Sequence, residues 1–549
     1  MSNTPTQQKL RGGYYTPAQI ADFLTSWAIQ SKDNNVLEPS CGNGIFLESA
    51  YLRLRDLGAY SKKALSNIHA VELDKGEYHK AKDRMKSLVN VDIENLRIEN
   101  DDFFSFFQKS LRTEKFDSII GNPPFIRYQH FDEEVRDRAL EILDDAGLEA
   151  SKLTNIWMPF LVASSLLLTK YGRLAMIIPA ELLQVKYAAK LRLFLSEFYS
   201  SIIIITFKKL VFPDIQQEIL LFLGEKINST HGINIIELDN VSQLERCLYQ
   251  LDKRTELKPI NHTTDKWIQY FLTNEEILLI RKLRNDNKLI TFGNLADVDV
   301  GVVTGRNEFF VINEEIVEKY SLASSVIPIV SRTAQIQGVV FKKADWERNR
   351  KEGHNCHLFY PSVKKFESLS KNTQLYVKEG EQREFHTGYK CRIREPWYIV
   401  PTIWSPDAFL YRQINGNPRL VLNETDSTIT DTIHRVRFKD KTDGKSLVVC
   451  FQNSLTFAFA EILGRSYGGG VLELEPNEAE ELPIPYFEFD KGILRKIDDL
   501  VRKKEPIEKV LNITDKLLLK NRLNLSNEEI RMLRNIWKKL SLRRMNRKF

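Results

Sequence analysis

Val36-Leu37-Glu38-Pro39-Ser40-Cys41-Gly42-Asn43-Gly44 reads as a short strand running into a glycine loop, and Ile45 to Leu54 behind it reads as a helix. Strand, glycine turn and helix in that order open a doubly wound α/β domain, where ligands bind at the carboxyl ends of strands. Working outward, short apolar runs recur at Ile68–Leu73, Leu96–Ile98, Phe116–Ile120, Leu174–Ile178, Ile202–Phe207 and Ile219–Leu223. Helical patterns separate the earlier runs, among them Trp157–Leu168 and Glu181–Phe198. That alternation predicts a seven-stranded, mainly parallel, Rossmann-like sheet buried between helices. The last two runs are eleven residues apart with Pro213 between them, which predicts a hairpin rather than a helical crossover. Ahead of the glycine loop, Thr16 can cap and Pro17 can start a helix that carries Ile20, Phe23, Leu24 and Trp27 on one face.

With 549 residues the chain is too long for one ordinary core, and 42% hydrophobic with 28% charged residues is a soluble globular balance. After about residue 230 turn signals multiply, at 228–232, 301–307, 416–418 and 468–470, and strand-like segments such as Val298–Val303, Phe309–Ile312 and Arg435–Phe438 are short. Three regions follow: an α/β domain over 1–240, an α+β domain over 241–490, and a basic helical segment over 491–549. The last region holds eighteen Lys/Arg against seven Asp/Glu, so it carries +11 of a net +6 and leaves −5 for the rest. Such a distribution suits a polyanionic partner as well as a solvated helical surface. The five cysteines are scattered, which argues against a disulfide framework. The one local cluster of soft ligands, His354-Asn355-Cys356-His357, reads as a polar loop, and no metal is expected. No apolar run approaches the roughly 20 residues of a bilayer span, and the N-terminus lacks an apolar signal segment, so a cytoplasmic protein with no membrane contact is expected.

Candidate chemistry gathers at successive strand ends. Glu72-Leu73 closes the second strand, where an acid can accept hydrogen bonds from ribose hydroxyls. Asp102-Phe103 follows the third, where a carboxylate can receive an amino group and an aromatic ring can pack on a base. The fourth ends in Asn122-Pro123-Pro124-Phe125. Two prolines stiffen this corner and remove two backbone donors. The Asn122 amide oxygen and the Pro123 carbonyl remain as acceptors. The lone pair of a conjugated NH2 group is delocalised. Two acceptors holding its hydrogens favour a tetrahedral nitrogen and free the lone pair for attack, and fixed acceptors stabilise the charge that develops there. Phe125 can stack on a base that has left its duplex. Further on, the region from Lys390 to Arg412 interleaves cations and aromatics, including Arg392, Arg394 and Trp397, a pattern shared by nucleic-acid surfaces and by ordinary strands.

In this order the motifs resemble those of the gamma-class N6-adenine DNA methyltransferases of bacterial restriction–modification systems, the type II modification methylases. Tyr14-Tyr15-Thr16-Pro17 is similar to their N-terminal motif, Glu38 to Gly42 to the glycine loop, Glu72 to the ribose-binding acid, Asp102-Phe103 to the adenine-binding pair and Asn122 to Phe125 to the catalytic motif. Gly172–Ala180 resembles the strand that follows, and Phe212, in Val211-Phe212-Pro213, resembles a residue that packs on the flipped base. The likeness covers about residues 12–225. Looser likeness to a target-recognition domain runs through Val300–Asn307 with Arg306, Phe309–Val311, Arg394–Tyr398 and Gly468–Pro485. The resemblance implies S-adenosyl-L-methionine as cofactor, held by Tyr15, Thr16, Glu38, Pro39, Ser40, Gly42, Glu72, Leu73, Asp102 and Phe103. It implies a flipped adenine in double-stranded DNA as substrate, Phe212, Arg306, Arg392, Arg394 and Trp397 on the DNA, a monomer on DNA, and a restriction endonuclease as genetic partner. Two departures stand out: the catalytic aromatic is Phe rather than the commoner Tyr, and the tail past 490 has no clear counterpart. Asn-Pro-Pro enzymes acting on RNA guanine or protein glutamine pose the same electronic problem, and a silent DNA-binding subunit is a further alternative. The intact Gly42, Glu72 and Asn122 argue against the silent subunit. A fused nuclease is disfavoured, because only about a dozen residues precede the first motif and no paired-carboxylate nuclease signature stands out further on.

Overall fold

The computed structural model describes residues 15–89, 93–110, 113–126, 132–149, 154–209, 211, 218–227, 231–251, 256–261, 266–466 and 470–546. The chain divides into two compact units between Asn274 and Glu275. The boundary lies some thirty residues later than the turn signals near 230–240 suggest. The helices after Lys491 fall within the second unit rather than standing apart.

The first unit is built on one sheet of eight strands: β1 (Val36–Glu38), β2 (Ile68–Val71), β3 (Arg97–Glu99), β4 (Phe116–Gly121), β5 (Leu168–Pro179), β6 (Ser201–Phe207), β7 (Ile219–Glu225) and β8 (Gly232–Leu238). Their spatial order is β3-β2-β1-β4-β5-β7-β6-β8. β1 pairs in parallel with β2 and β4, and β4 with β5, so their carboxyl ends share one edge. β7 is antiparallel to both β5 and β6, as the short connection predicts. The expected count of seven is one short. β8 pairs in parallel with β6 at the sheet margin, and only its first residues and Ile235 are buried, so its sequence lacks the unbroken apolar run that marks the inner strands.

Helices α1 (Ala18–Ala28), α2 (Ile45–Asp56), α3 (Lys75–Leu88), α4 (Phe103–Ser110), α5 (Glu133–Asp145), α6 (Trp157–Leu166) and α7 (Ala189–Phe198) flank the sheet in sequence. The segment predicted as one helix over 181–198 starts instead as two short 3-10 turns, Ala180–Leu183 and Lys186–Ala188. Ile20, Phe23, Leu24 and Trp27 of α1 are buried together with Phe46 and Leu47 of α2, as the spacing predicts. Gly44 enters α2 with φ +81°, and a Cβ there would lie 3.0 Å from Ala81 Cα, so this crossing of α2 with α3 needs glycine.

The second unit contains a five-stranded sheet ordered Ala296–Val300, Ile433–Phe438, Ala408–Tyr411, Leu420–Asn423, Val340–Phe341, and a smaller four-stranded sheet. The strand predicted over Phe309–Ile312 is a helical turn, Asn307–Phe310, followed by two strand residues. Its C-terminal helices α8 (Lys491–Arg502), α9 (Ile507–Thr514) and α10 (Asn527–Met545) are core elements of this unit. Trp537 of α10 packs edge-on to Phe457 at 5.3 Å. Much of the tail's charge is matched: Arg502 binds Asp345 and Asp498, Arg534 binds Asp515, and Arg544 binds Glu461. Among the described residues no single helix is long and apolar enough to cross a membrane.

Candidate active site

The parallel strands deliver β1, β2 and β4 to the same edge, and their loops meet there. Glu38, the last residue of β1, is 1% exposed. Among the described residues its Oε2 has no hydrogen-bond partner. Burial, and then the neighbouring Glu72 carboxylate, push the Glu38 carboxyl well above the usual carboxylate range. Glu72, just past β2, accepts hydrogen bonds from the backbone N–H groups of Gly42 at 2.8 Å and Asp74 at 2.7 Å. Burial still raises its pKa, and those two N–H groups oppose the rise. Two acids share a poorly solvated corner, with no basic side chain among the causes of either shift, so burial favours their uncharged forms. The position of a Gly42 Cβ is open space, so the loop backbone faces a gap. Leu73, 56% exposed, is the apolar side chain at the tip of β2. Pro39 is buried and Ser40 half-buried between them.

Asn122 reaches this cluster from β4. Its Nδ2 donates to Thr16 Oγ1 at 3.2 Å, and its backbone carbonyl accepts from Ser40 Oγ at 3.5 Å. The sequence separations are 106 and 82 residues, so the fold itself joins the Asn-Pro-Pro corner to the glycine loop and the N-terminal segment. The bond to Thr16 orients the carboxamide, with its oxygen turned the other way. Thr16 therefore does not cap α1: Pro17 occupies the cap position and its carbonyl accepts from Ile20 and Ala21. Tyr15 is held apart from Asn122, its hydroxyl donating to Glu77 Oε1 at 3.1 Å and accepting from Lys80. Pro123 is buried and Pro124 half-buried, and Phe125 packs partly against the main core.

Other predicted site residues stand elsewhere. Asp102 caps α4, accepting from the N–H groups of Phe104 and Ser105, and it pairs with Arg138 of α5 at 3.0 Å. Phe103 is 2% exposed and stacks on Phe160 with ring centroids 5.0 Å apart. An Asp-Phe pair at a strand end serves a helix cap and a core equally well, and in this chain both side chains are committed to the scaffold. Phe212 lies outside the described residues.

In the second unit Arg306 and Arg392 are exposed. Arg394 is turned inward and donates to the carbonyls of Thr304 and Val303, both at 2.7 Å. Trp397 is half-buried against Phe309 at 4.7 Å and donates to Glu381. Both side chains are thus engaged within the unit. Tyr389 and Ile393, to which the sequence reading assigns no role, are 64% and 60% exposed. Their spacing of four, beside Lys390 and Arg392, was the available signal.

Residues 45–212 match the family model of the Eco57I restriction-modification methylase, and residues 264–519 match that of the C-terminal domain of type II methyltransferase M.Eco57I. The type II methyltransferase M.AccI of Acinetobacter calcoaceticus is 25% identical over 88% of this chain and 86% of its own length. M.HindII of Haemophilus influenzae is 25% identical over 57% of this chain and 58% of its own length. Among solved structures, the type IIL restriction-modification enzyme MmeI superposes with a TM-score of 0.59 at 11% identity, covering 95% of this chain and 75% of that one, a likeness of fold. The two family models fall on the two units, and the relative that spans both does so over most of its length. The chain belongs to the type II restriction–modification methyltransferases.

Proposed function

We propose that this protein transfers the methyl group of S-adenosyl-L-methionine to the N6 amine of an adenine flipped out of double-stranded DNA, and so protects a specific site from a cognate restriction endonuclease. The observation that carries the reading is the convergence of Asn122, Thr16 and Ser40 beside the buried Glu38–Glu72 pair. The orphaned Glu38 oxygen and the open space beside Gly42 fit a cationic ligand that brings its own hydrogen-bond donors. Glu38, Pro39, Ser40, Gly42, Glu72, Leu73 and Thr16 would hold the cofactor, which supplies an electrophilic methyl group on a sulfonium.

This chain's own residues do the remaining work. Thr16 fixes the Asn122 amide, so the Asn122 oxygen and the Pro123 carbonyl form a preset pair of acceptors for the two hydrogens of an amine. Pre-set acceptors cost no reorganisation when positive charge develops on the nitrogen. The Pro-Pro corner holds that pair in register, which favours an in-line approach. Phe125 offers a ring face beside it. On the DNA, Arg306 and Arg392 are the exposed cations of those assigned from sequence. The protein acts as a monomer on its site.

The test is direct. Incubation with methyl-labelled cofactor and unmethylated duplex DNA, RNA or protein, followed by nucleoside and peptide mass spectrometry, is expected to put label on N6-methyladenine alone. Label on guanine or glutamine, with none on adenine, would replace the reading with one of its two chemical alternatives.

A further inference from the structure

In the second unit two loops, 302–307 and 386–394, are fastened together. The Arg394 guanidinium donates to the carbonyls of Val303 and Thr304 on the facing loop. Gly305 turns with φ +83°, and a Cβ there would lie 2.6 Å from Lys390 Cβ, so the loops touch backbone to side chain. Arg306 lies across Gly388, its Nε 3.0 Å from where a Cβ would stand. Beneath them Phe309 stacks on Tyr376 at 4.8 Å and packs on Trp397. The pair of loops is therefore a single rigid edge on an aromatic base.

Its outer face is unusual in two respects. The two loops contain four Lys/Arg and no Asp/Glu. Arg394 is spent on the carbonyls, but Arg306, Lys390 and Arg392 are exposed and have no carboxylate partner among the described residues. The adjacent Glu308 is already engaged by Arg383. The same edge also exposes apolar side chains: Val303 at 39%, Tyr389 at 64% and Ile393 at 60%. The Ile393 N–H donates to the Tyr389 carbonyl at 3.3 Å, so these two sit one helical turn apart on one side of the turn. Apolar side chains exposed among uncompensated cations gain nothing from water or from phosphate. They gain from base edges, thymine methyls and unstacked base steps.

We propose that this doubly fastened edge is the sequence-reading surface for duplex DNA, with Tyr389 and Ile393 against the bases, Arg306, Lys390 and Arg392 on the phosphates, and Arg394 as a positioning residue. The inference rests on the DNA reading above and deepens it. Charge complementarity selects the partner: a rigid edge of three unpaired cations fits a regular polyanion.

The experiment uses the full chain, its cofactor and an unmethylated plasmid library with random-sequence inserts, and maps modified adenines at single-base resolution. The wild type is expected to mark sites sharing one consensus. Tyr389→Ala with Ile393→Ala is expected to relax that consensus at one or two positions by tenfold or more, with cofactor affinity unchanged. The single variants repeat the measurement if the pair lowers the unfolding midpoint. Arg306→Gln with Arg392→Gln is expected to keep the consensus, weaken binding to every duplex, and reduce the slope of log K against log salt by about 2. Arg394→Lys keeps the charge and loses the two-pronged grip, so it should follow the Tyr389/Ile393 pattern and leave the salt slope alone. A wild-type consensus with unchanged consensus and slope in these variants overturns the edge while sparing the function. A wild type that marks no adenine in DNA overturns both.

Discussion

The two halves of the molecule handle charge in opposite ways. At the strand ends of the first unit two buried acids lie close enough to repel: Glu72 accepts from backbone N–H groups, Glu38 Oε2 has no hydrogen-bond partner among the described residues, and burial raises both carboxyls. In the second unit, Arg306, Lys390 and Arg392 are exposed with no carboxylate partner among the described residues, while Arg502, Arg534 and Arg544 are matched to acids inside the fold. A pair of buried acids gains from a small cationic ligand that stabilises the ionised form. A positive edge favours a polyanion. Under the proposed function, the acid pair would meet a sulfonium cofactor and the cationic edge a nucleic acid.

The sharpest way to break this contrast lies in the first unit. Asn122→Ala removes the acceptor proposed for the amine and leaves Glu38 and Glu72 unchanged in sequence. Single-turnover transfer is expected to fall by about 10²–10³-fold or more, the cost of losing one pre-organised electrostatic partner at a reacting centre. Cofactor affinity, measured by calorimetry, should stay near that of the wild type. Normal turnover would remove Asn122 from the chemistry and leave the corner a structural turn.

The next effect concerns the tail. Arg544 and Glu461 are each 2% exposed as a side-chain pair, and Arg544 also donates to the carbonyls of Ile414, Asn415 and Gly470. Burial raises the Glu461 carboxyl, and Arg544 pulls it back. Arg544→Ala would strand that acid, with an expected loss of about 3–5 kcal/mol in urea unfolding. Arg544→Met combined with Glu461→Leu should cost less than the single change. A neutral Arg544→Ala would return the tail to the role of a solvated, DNA-facing surface. Deleting the tail cannot separate charge from stability, because α10 closes the core of its unit.

What could be read from residues divides along the same line. The β1 strand, its glycine loop and the Asn-Pro-Pro corner were legible because each demands rare residues at fixed places. β8 was not, because a half-exposed edge strand looks like a loop. Asp102 and Phe103 read equally as a ligand pair and as a cap with a core aromatic, because both uses take the same residue types. In the second unit, cation and aromatic composition did not show that Arg394 and Trp397 also bond within the unit. Which way an arginine turns depends on carbonyls ninety residues away, and no local pattern records that.

A smaller effect separates the two acids of the pocket. Glu72→Ala removes the acceptor for the Gly42 and Asp74 N–H groups and should weaken cofactor binding by about 1–3 kcal/mol. Calorimetry that finds an unchanged Kd would count against its ribose role.

The subtlest consequence is a pH dependence written into Glu38. Its carboxyl is raised first by burial and then by Glu72, with Cys41 as a further close neighbour whose thiol is itself raised by burial. A carboxyl raised in the folded chain favours the fold most below the ordinary glutamate range, and that contribution is lost as pH rises through the raised value. The cofactor-free protein should therefore lose stability as pH climbs through that window. A cationic ligand stabilises the ionised form, so cofactor affinity should rise across the same window, with protons released on binding. Glu38→Gln keeps the shape and cannot ionise. It should flatten both profiles, read as unfolding midpoint and as binding enthalpy in buffers of different ionisation heat. If the variant keeps the wild-type slope in both, the proton resides elsewhere, and the acidic half of the charge contrast loses its deepest member.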